Sequence, residues 1–200
     1  MAPHVCPWWI GYFLASPWRR RVQNPQEILQ PYISPAMTVM DVGCGMGFFS
    51  LDMARMVGPD GRVVCVDLQP RMIKALVRRA SKAGLADRID ERLCSPDSLG
   101  LDDLAGHIDF ALVFAVVHEV PDAPALLAQL HSLLKSEGRL LLAEPRGHVS
   151  EGKFQKTLDI TENAGFSIIE RPEINKSHTA ILQRQTPPGS IRGNAVIGSL

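Results

Sequence analysis

Residues 41–47 read Asp41-Val42-Gly43-Cys44-Gly45-Met46-Gly47, three glycines at alternate positions behind an acid. Before them, Thr38 to Val42 is a short apolar run, which predicts a buried strand. After them, Met46 to Val57 predicts a helix with Phe49, Met53 and Val57 on one stripe. Glycines at a strand-to-helix turn let the backbone bend sharply and approach a ligand closely. In an open α/β sheet that ligand lies at the carboxyl edge of the strands, where helix N-termini point.

Outward from the loop, Gly58-Pro59-Asp60-Gly61 is a turn, and Arg62 to Asp67 a second strand. Asp67 falls 24 residues after Gly43, at the strand end. A carboxylate there suits a pair of hydrogen bonds to the two hydroxyls of a ribose. Both a nicotinamide cofactor and S-adenosylmethionine carry that ribose. Dinucleotide sites use G-x-G-x-x-G, whose third glycine packs helix on strand beside a pyrophosphate. Here the spacing is G-x-G-x-G, and Phe48 and Phe49 stand where the third glycine is wanted. The loop reads as built for a ligand without a pyrophosphate.

The alternation continues along the chain. Asn24-Pro25 reads as a helix start, with Asn as cap and Pro at the first position. Arg71 to Ala83 predicts a helix ending at Gly84, and Ile89 to Cys94 a third strand. Phe110 to Val117 predicts the fourth and most apolar strand, as burial on both faces requires. Pro124 to Leu134 is a Leu-rich helix, Arg139 to Ala143 a strand and Phe154 to Ala164 a helix. Phe166 to Glu170 and Ser177 to Gln183 are closing strands with too short a link to be parallel. The expected fold is a Rossmann-like α/β domain: a seven-stranded, mostly parallel sheet, helices on both faces and an antiparallel last strand.

Composition narrows the function. The 200 residues are 46% hydrophobic and 21% charged, as for one globular domain. Twenty-one basic residues balance twenty-one acidic ones, which argues against a nucleic-acid-coating protein. Cys6, Cys44, Cys65 and Cys94 form no C-x-x-C pair and read as reduced thiols. The longest apolar run, Phe110 to Val117, is far short of the roughly 20 residues that span a bilayer. The expected location is the cytoplasm. Six histidines form no metal signature, so no metal is expected. His4, His107, His131 and His178 read as surface residues.

The chain resembles the class I S-adenosylmethionine-dependent methyltransferases over about residues 25–185. Asp41 to Gly47 match that family's D-x-G-x-G-x-G loop. Val63 to Pro70 (V-V-C-V-D-L-Q-P) resemble its second motif. Phe110 to Val120 and Leu133 to Pro145 resemble its fourth and fifth strands with the loops after them. The resemblance implies S-adenosyl-L-methionine as cofactor. Asp41, Gly43, Cys44, Gly45 and Gly47 would hold its methionine end and Asp67 the ribose. Leu68 would pack on the adenine, and Phe114 and Ala115 would line the pocket near the sulfonium. The family places an acid after strand three for the adenine; here Ser95 stands there, followed by Pro96.

His118 and Glu119 follow strand four, on the edge where the methyl group emerges. His118 is the candidate general base, because a neutral imidazole can take a proton from an attacking hydroxyl, amine or thiol. Glu119, Glu144 and His148 are candidate substrate-pocket residues. The Asn/Asp-Pro-Pro-Tyr signature of amino-directed nucleic-acid methylases is missing, and no recognition domain is added. A small-molecule acceptor is therefore expected, and nucleic acid is not.

Residues 1–24 form an aromatic and basic leader, with Trp8, Trp9, Tyr12, Phe13 and Trp18 ahead of Arg19 to Arg21. It reads as a lid over the cofactor, as packing, or as an interfacial membrane contact through residues 8–21. Residues 186–200 read as an irregular tail. Two other functions fit the sequence: a non-catalytic adenosyl-binding partner protein and an NAD(P)-dependent oxidoreductase. A monomer or a homodimer is expected.

Overall fold

The computed structural model describes residues 17–185. The aromatic residues 8–13 of the leader, the Trp18 side chain, Cys6, His4 and the tail 186–200 lie outside the described residues. Two short helices, α1 (Pro17–Val22) and α2 (Pro25–Leu29), precede the sheet. Asn24 caps α2 as its sequence predicts, its side-chain oxygen accepting the N–H of Gln26 at 3.2 Å.

Strands β1 (Thr38–Val42), β2 (Arg62–Asp67), β3 (Ile89–Leu93), β4 (Ile108–Phe114), β5 (Leu134–Pro145), β6 (Phe166–Glu170) and β7 (Ser177–Arg184) form one sheet of seven. Their order is β3-β2-β1-β4-β5-β7-β6. The first five pair in parallel, and β7 runs antiparallel between β5 and β6. Side chains alternate between two cores, because a strand sends successive Cβ atoms to opposite faces. Met40, Val42, Val64, Val66, Ala111 and Val113 meet α5 (Ala123–Leu133) and α6 (Glu151–Asn163) on one face. Val39, Val63, Cys65, Phe110 and Leu112 meet α2, α3 (Ser50–Val57) and α4 (Pro70–Lys82) on the other. The expected fold class is therefore observed, helices on both faces included.

Two boundaries beside the site move. The helix expected from Met46 begins only at Ser50, because Gly47 takes φ +80°, outside helical space. The fourth strand stops at Phe114 rather than Val117, because Ala115 takes φ +60°. Val116 then leads into a 3₁₀ turn, Val117–Glu119, which carries the His-Glu pair. Strand β5 is longer than its apolar run, pairing with β4 from Leu134 onward and passing a left-handed Glu137 (φ +67°).

The chain leaves β1 to one side for β2 and comes back on the other for β4. A crevice opens at the carboxyl ends of strands flanking such a switch point, where α/β folds bind ligands. Among the described residues, no helix is long and apolar enough to cross a membrane.

Candidate active site

The crevice holds a cavity of about 610 Å³, within the range of small-ligand sites. The glycine loop forms its floor. Gly43 and Cys44 donate their N–H groups to the Val66 carbonyl at 2.8 and 3.0 Å, tying the loop to β2. A Cβ on Gly43 would sit 2.6 Å from Val116 Cγ2, so only glycine lets the loop pass beneath the turn after β4. A Cβ on Gly45 would meet nothing within 4 Å; the backbone there is open for a ligand to approach. Gly47, expected at the cofactor, instead packs against Leu76 of α4 and does not line the cavity.

Asp67 is buried at the end of β2. Its Oδ2 accepts the Gly45 N–H at 2.9 Å and its Oδ1 the Gln69 N–H at 2.8 Å. Each oxygen keeps a lone pair for a ligand hydroxyl. Burial raises its pKa, and the hydrogen bonds from Gln69, Gly45 and Leu68 oppose that rise.

Asp41 is deeper, and Ser50 Oγ donates to its Oδ2 at 2.5 Å. Burial pushes its carboxyl up to about 7; the Ser50 hydrogen bond pulls down, nearby Asp67 pushes up and the Arg19 charge pulls down. Arg19 of α1 reaches the same wall. Its guanidinium carbon lies 4.4 Å from the Phe48 ring centroid, 5.4 Å from Phe49 and 5.6 Å from Phe114. Burial lowers its pKa to about 10, and the charge of Asp41 opposes that.

Beyond β3, Ser95 closes a turn: its Oγ accepts the Ser98 N–H at 3.1 Å and its N–H meets the Ser98 carbonyl at 3.0 Å. Gln129 of α5 braces that turn, its Oε1 accepting the Leu99 N–H at 2.8 Å. Ser95, Pro96, Leu68, Phe114 and Ala115 all line the cavity, as does Cys44. The Cys44 thiol is raised well above its ordinary pKa by a hydrogen bond with Cys65 and by burial, which opposes thiolate formation.

The opposite end is built on β4 and β5. His118 Nδ1 hydrogen-bonds Glu144 Oε2. Glu144 is 1% exposed, and its Oε1 accepts the N–H groups of Val117 at 2.9 Å and Val116 at 3.2 Å. A carboxylate can only accept here, so Nδ1 carries the proton and Nε2 presents the lone pair. His118 Nε2 lies 3.9 Å from Glu119 Oε1, and the His148 ring stands 5.8 Å away. The Glu144 hydrogen bond, then the charges of Glu144 and Glu119, raise the His118 pKa against a lowering by burial.

Most predicted positions therefore converge; besides Gly47, three expectations are corrected. Glu144, expected in the substrate pocket, lies beneath it as the partner of His118, because the end of β5 tucks under the β4 turn. His178 is no surface residue: it stacks on Phe154 at 5.4 Å and pairs with Glu151 at 2.9 Å. His131 likewise packs edge-on against Phe166. The sequence reading missed Arg19, Gln23 and Gln129, all of which line the cavity. The Arg19-Arg20-Arg21 run held a signal, since a helix sends adjacent side chains apart. Arg19 turns into the cavity, while Arg20 pairs with Asp52 at 2.9 Å.

A family model described as a methyltransferase domain matches residues 33–185. The chain is 32% identical over 130 residues to a ubiquinone biosynthesis O-methyltransferase of Xanthomonas axonopodis pv. citri, covering 60% of this chain and 52% of that protein. It is 26% identical over 162 residues to protein-L-isoaspartate O-methyltransferase 1 of Arabidopsis thaliana, covering 80% of this chain and 65% of the relative. The chain thus spans about half to two thirds of the length of these relatives. Among solved structures, a SAM-dependent methyltransferase from Aquifex aeolicus superposes with a TM-score of 0.79 at 22% identity, covering 90% of this chain and 98% of that one.

Proposed function

Because the chain belongs to the methyltransferase-domain family, we propose that it is an S-adenosylmethionine-dependent methyltransferase acting on a hydroxyl of a small molecule. The observation that carries this reading is His118 on the wall of the same cavity that the glycine loop floors, held from beneath by Glu144. The name of one relative, a ubiquinone biosynthesis O-methyltransferase, supports an oxygen acceptor on a small molecule; the other, a protein-L-isoaspartate O-methyltransferase, names a protein carboxyl instead.

The residues fit the cofactor. Asp67 has lone pairs for the ribose hydroxyls, and the open backbone at Gly45 admits the methionine end. Asp41 and Arg19 offer one partner of each sign for its amino and carboxylate groups. Leu68, Ser95 and Pro96 form the adenine side, and Phe114 and Ala115 the middle. When bound, the sulfonium supplies an electrophilic methyl group with a good leaving group, so alignment supplies most of the rate.

The chain's own task is to align the acceptor and receive its proton. His118 Nε2 is placed to receive the proton of the acceptor hydroxyl; the sulfonium would supply the methyl group and leave as a neutral thioether. Glu144 fixes the ring and its tautomer and stabilises the imidazolium so formed. His118 lines the cavity, which favours a small acceptor over a protein side chain. The test is incubation of extract with labelled S-adenosylmethionine and this protein. Label entering the small-molecule fraction, and lost with His118→Asn, supports the reading. Label confined to proteins, or unchanged by His118→Asn, overturns it.

A further inference from the structure

A second cleft, of about 590 Å³, lies on the same edge of the sheet, between the end of β5, the start of α6 and the β6–β7 link. Lys176 lines both it and the main cavity, where its neighbours on the wall include His118, Pro145 and His148. The link is pinned from several sides. Thr179 Oγ1 donates to the Pro172 carbonyl. The Ser177 N–H meets the Ile174 carbonyl at 3.0 Å, and the Arg146 N–H the Lys176 carbonyl at 2.9 Å. Gln23, just past α1, donates to the Asn175 carbonyl at 3.2 Å.

Within this pinned link Lys176 takes φ +60°, the left-handed region uncommon for a non-glycine residue. Its ammonium has no ion pair or hydrogen bond with any described residue. The charges facing the second cleft are Arg146, Arg171 and Lys176 against Glu151 and Glu173. Three cations thus face two carboxylates, and Glu151 Oε2 already lies 2.9 Å from His178 Nδ1.

We infer that Lys176 recognises an anionic group, carboxylate or phosphate, on the methyl acceptor, whose distal part extends toward Arg146 and Arg171 in the second cleft. This rests on the methyltransferase reading and names the acceptor class: a hydroxylated small-molecule acid. A single charge-assisted contact of this kind is worth about fivefold or more in affinity.

The test is calorimetry on the protein saturated with S-adenosylhomocysteine. The probes are 4-hydroxybenzoate and 4-hydroxycinnamate, each beside its neutral amide, and 4-hydroxyphenyl phosphate. At least one acid binds about fivefold or more tighter than its neutral counterpart (hydroquinone for the phosphate). That preference disappears in Lys176→Met and persists in Lys82→Met, an exposed lysine on α4. Which probe shows it decides between carboxylate and phosphate. No preference for any acid, or a preference that survives Lys176→Met, overturns the inference. Failure of S-adenosylhomocysteine itself to bind overturns the reading beneath it.

Discussion

Glu144 and His118 form one unit across two strands: one carboxylate oxygen takes the imidazole Nδ1–H while the other takes the N–H groups of Val116 and Val117. A single buried side chain on β5 thus sets both the tautomer of the His and the fold of the turn that carries it. General-base assistance is typically worth about 10²–10⁴-fold. His118→Asn is expected to lower kcat by about that factor while the dissociation constant for S-adenosylmethionine stays within about threefold. Steady-state kinetics beside a cofactor titration separates the two; equal loss in both would make His118 a structural residue.

The same pair sets the pH response. The pKa of His118 is raised above its ordinary 6.5, chiefly by the Glu144 hydrogen bond. The ring therefore keeps its proton to higher pH, and kcat/KM rises with pH through a value above 6.5. Glu144→Gln removes the main cause and moves this acid limb downward. In linkage terms, stability from this pair is present below the unfolded-state value and is lost as pH rises through the folded one. A limb that Glu144→Gln leaves in place would detach the profile from His118.

Asp41 makes a different pH prediction. Its carboxyl is pushed up to about 7, so it is largely protonated in mild acid. A cationic amino group placed beside it favours the ionised form, so cofactor affinity tightens as pH rises toward and through about 7. Calorimetry near pH 6.5 in buffers of different ionisation heat is expected to show proton release on binding. Without cofactor, the raised value makes Asp41 a stability contribution present below pH 3.8 and lost as pH rises through about 7.

Asp67→Ala removes the acceptor for two ligand hydroxyls and leaves the Gly45 and Gln69 N–H groups without their partner. Cofactor binding is expected to weaken by about 1–3 kcal/mol. Asp67→Asn, which restores one acceptor oxygen, recovers part of the loss. Unchanged affinity in the Ala variant would remove Asp67 from the ribose.

Gly43→Ala tests the loop. The new Cβ lies 2.6 Å from Val116 Cγ2 and the residue must keep φ +68°. Overpacking of this kind costs about 1–3 kcal/mol, and the left-handed backbone adds about 1 kcal/mol. Denaturant unfolding reads the stability loss. Gly45→Ala keeps only the conformational part, because its Cβ meets nothing within 4 Å.

The β-α alternation and the glycine loop were legible because they are local patterns: apolar runs of strand length, turn residues and fixed spacing. What the sequence hid is long-range. Nothing near Glu144 in the chain shows that it passes under a turn 26 residues earlier to meet His118. Ala115 gives no warning of its left-handed backbone, so the fourth strand read three residues too long. Arg19 lay in a basic run whose three members look alike until α1 turns one of them into an aromatic pocket.

The most direct measurement is a calorimetric titration in one buffer with S-adenosylmethionine, S-adenosylhomocysteine and reduced nicotinamide adenine dinucleotide, repeated with Asp67→Ala. The account predicts micromolar binding of the first two, weakened in the variant, and none of the third. Binding of the dinucleotide instead, or of none of the three, would contradict it.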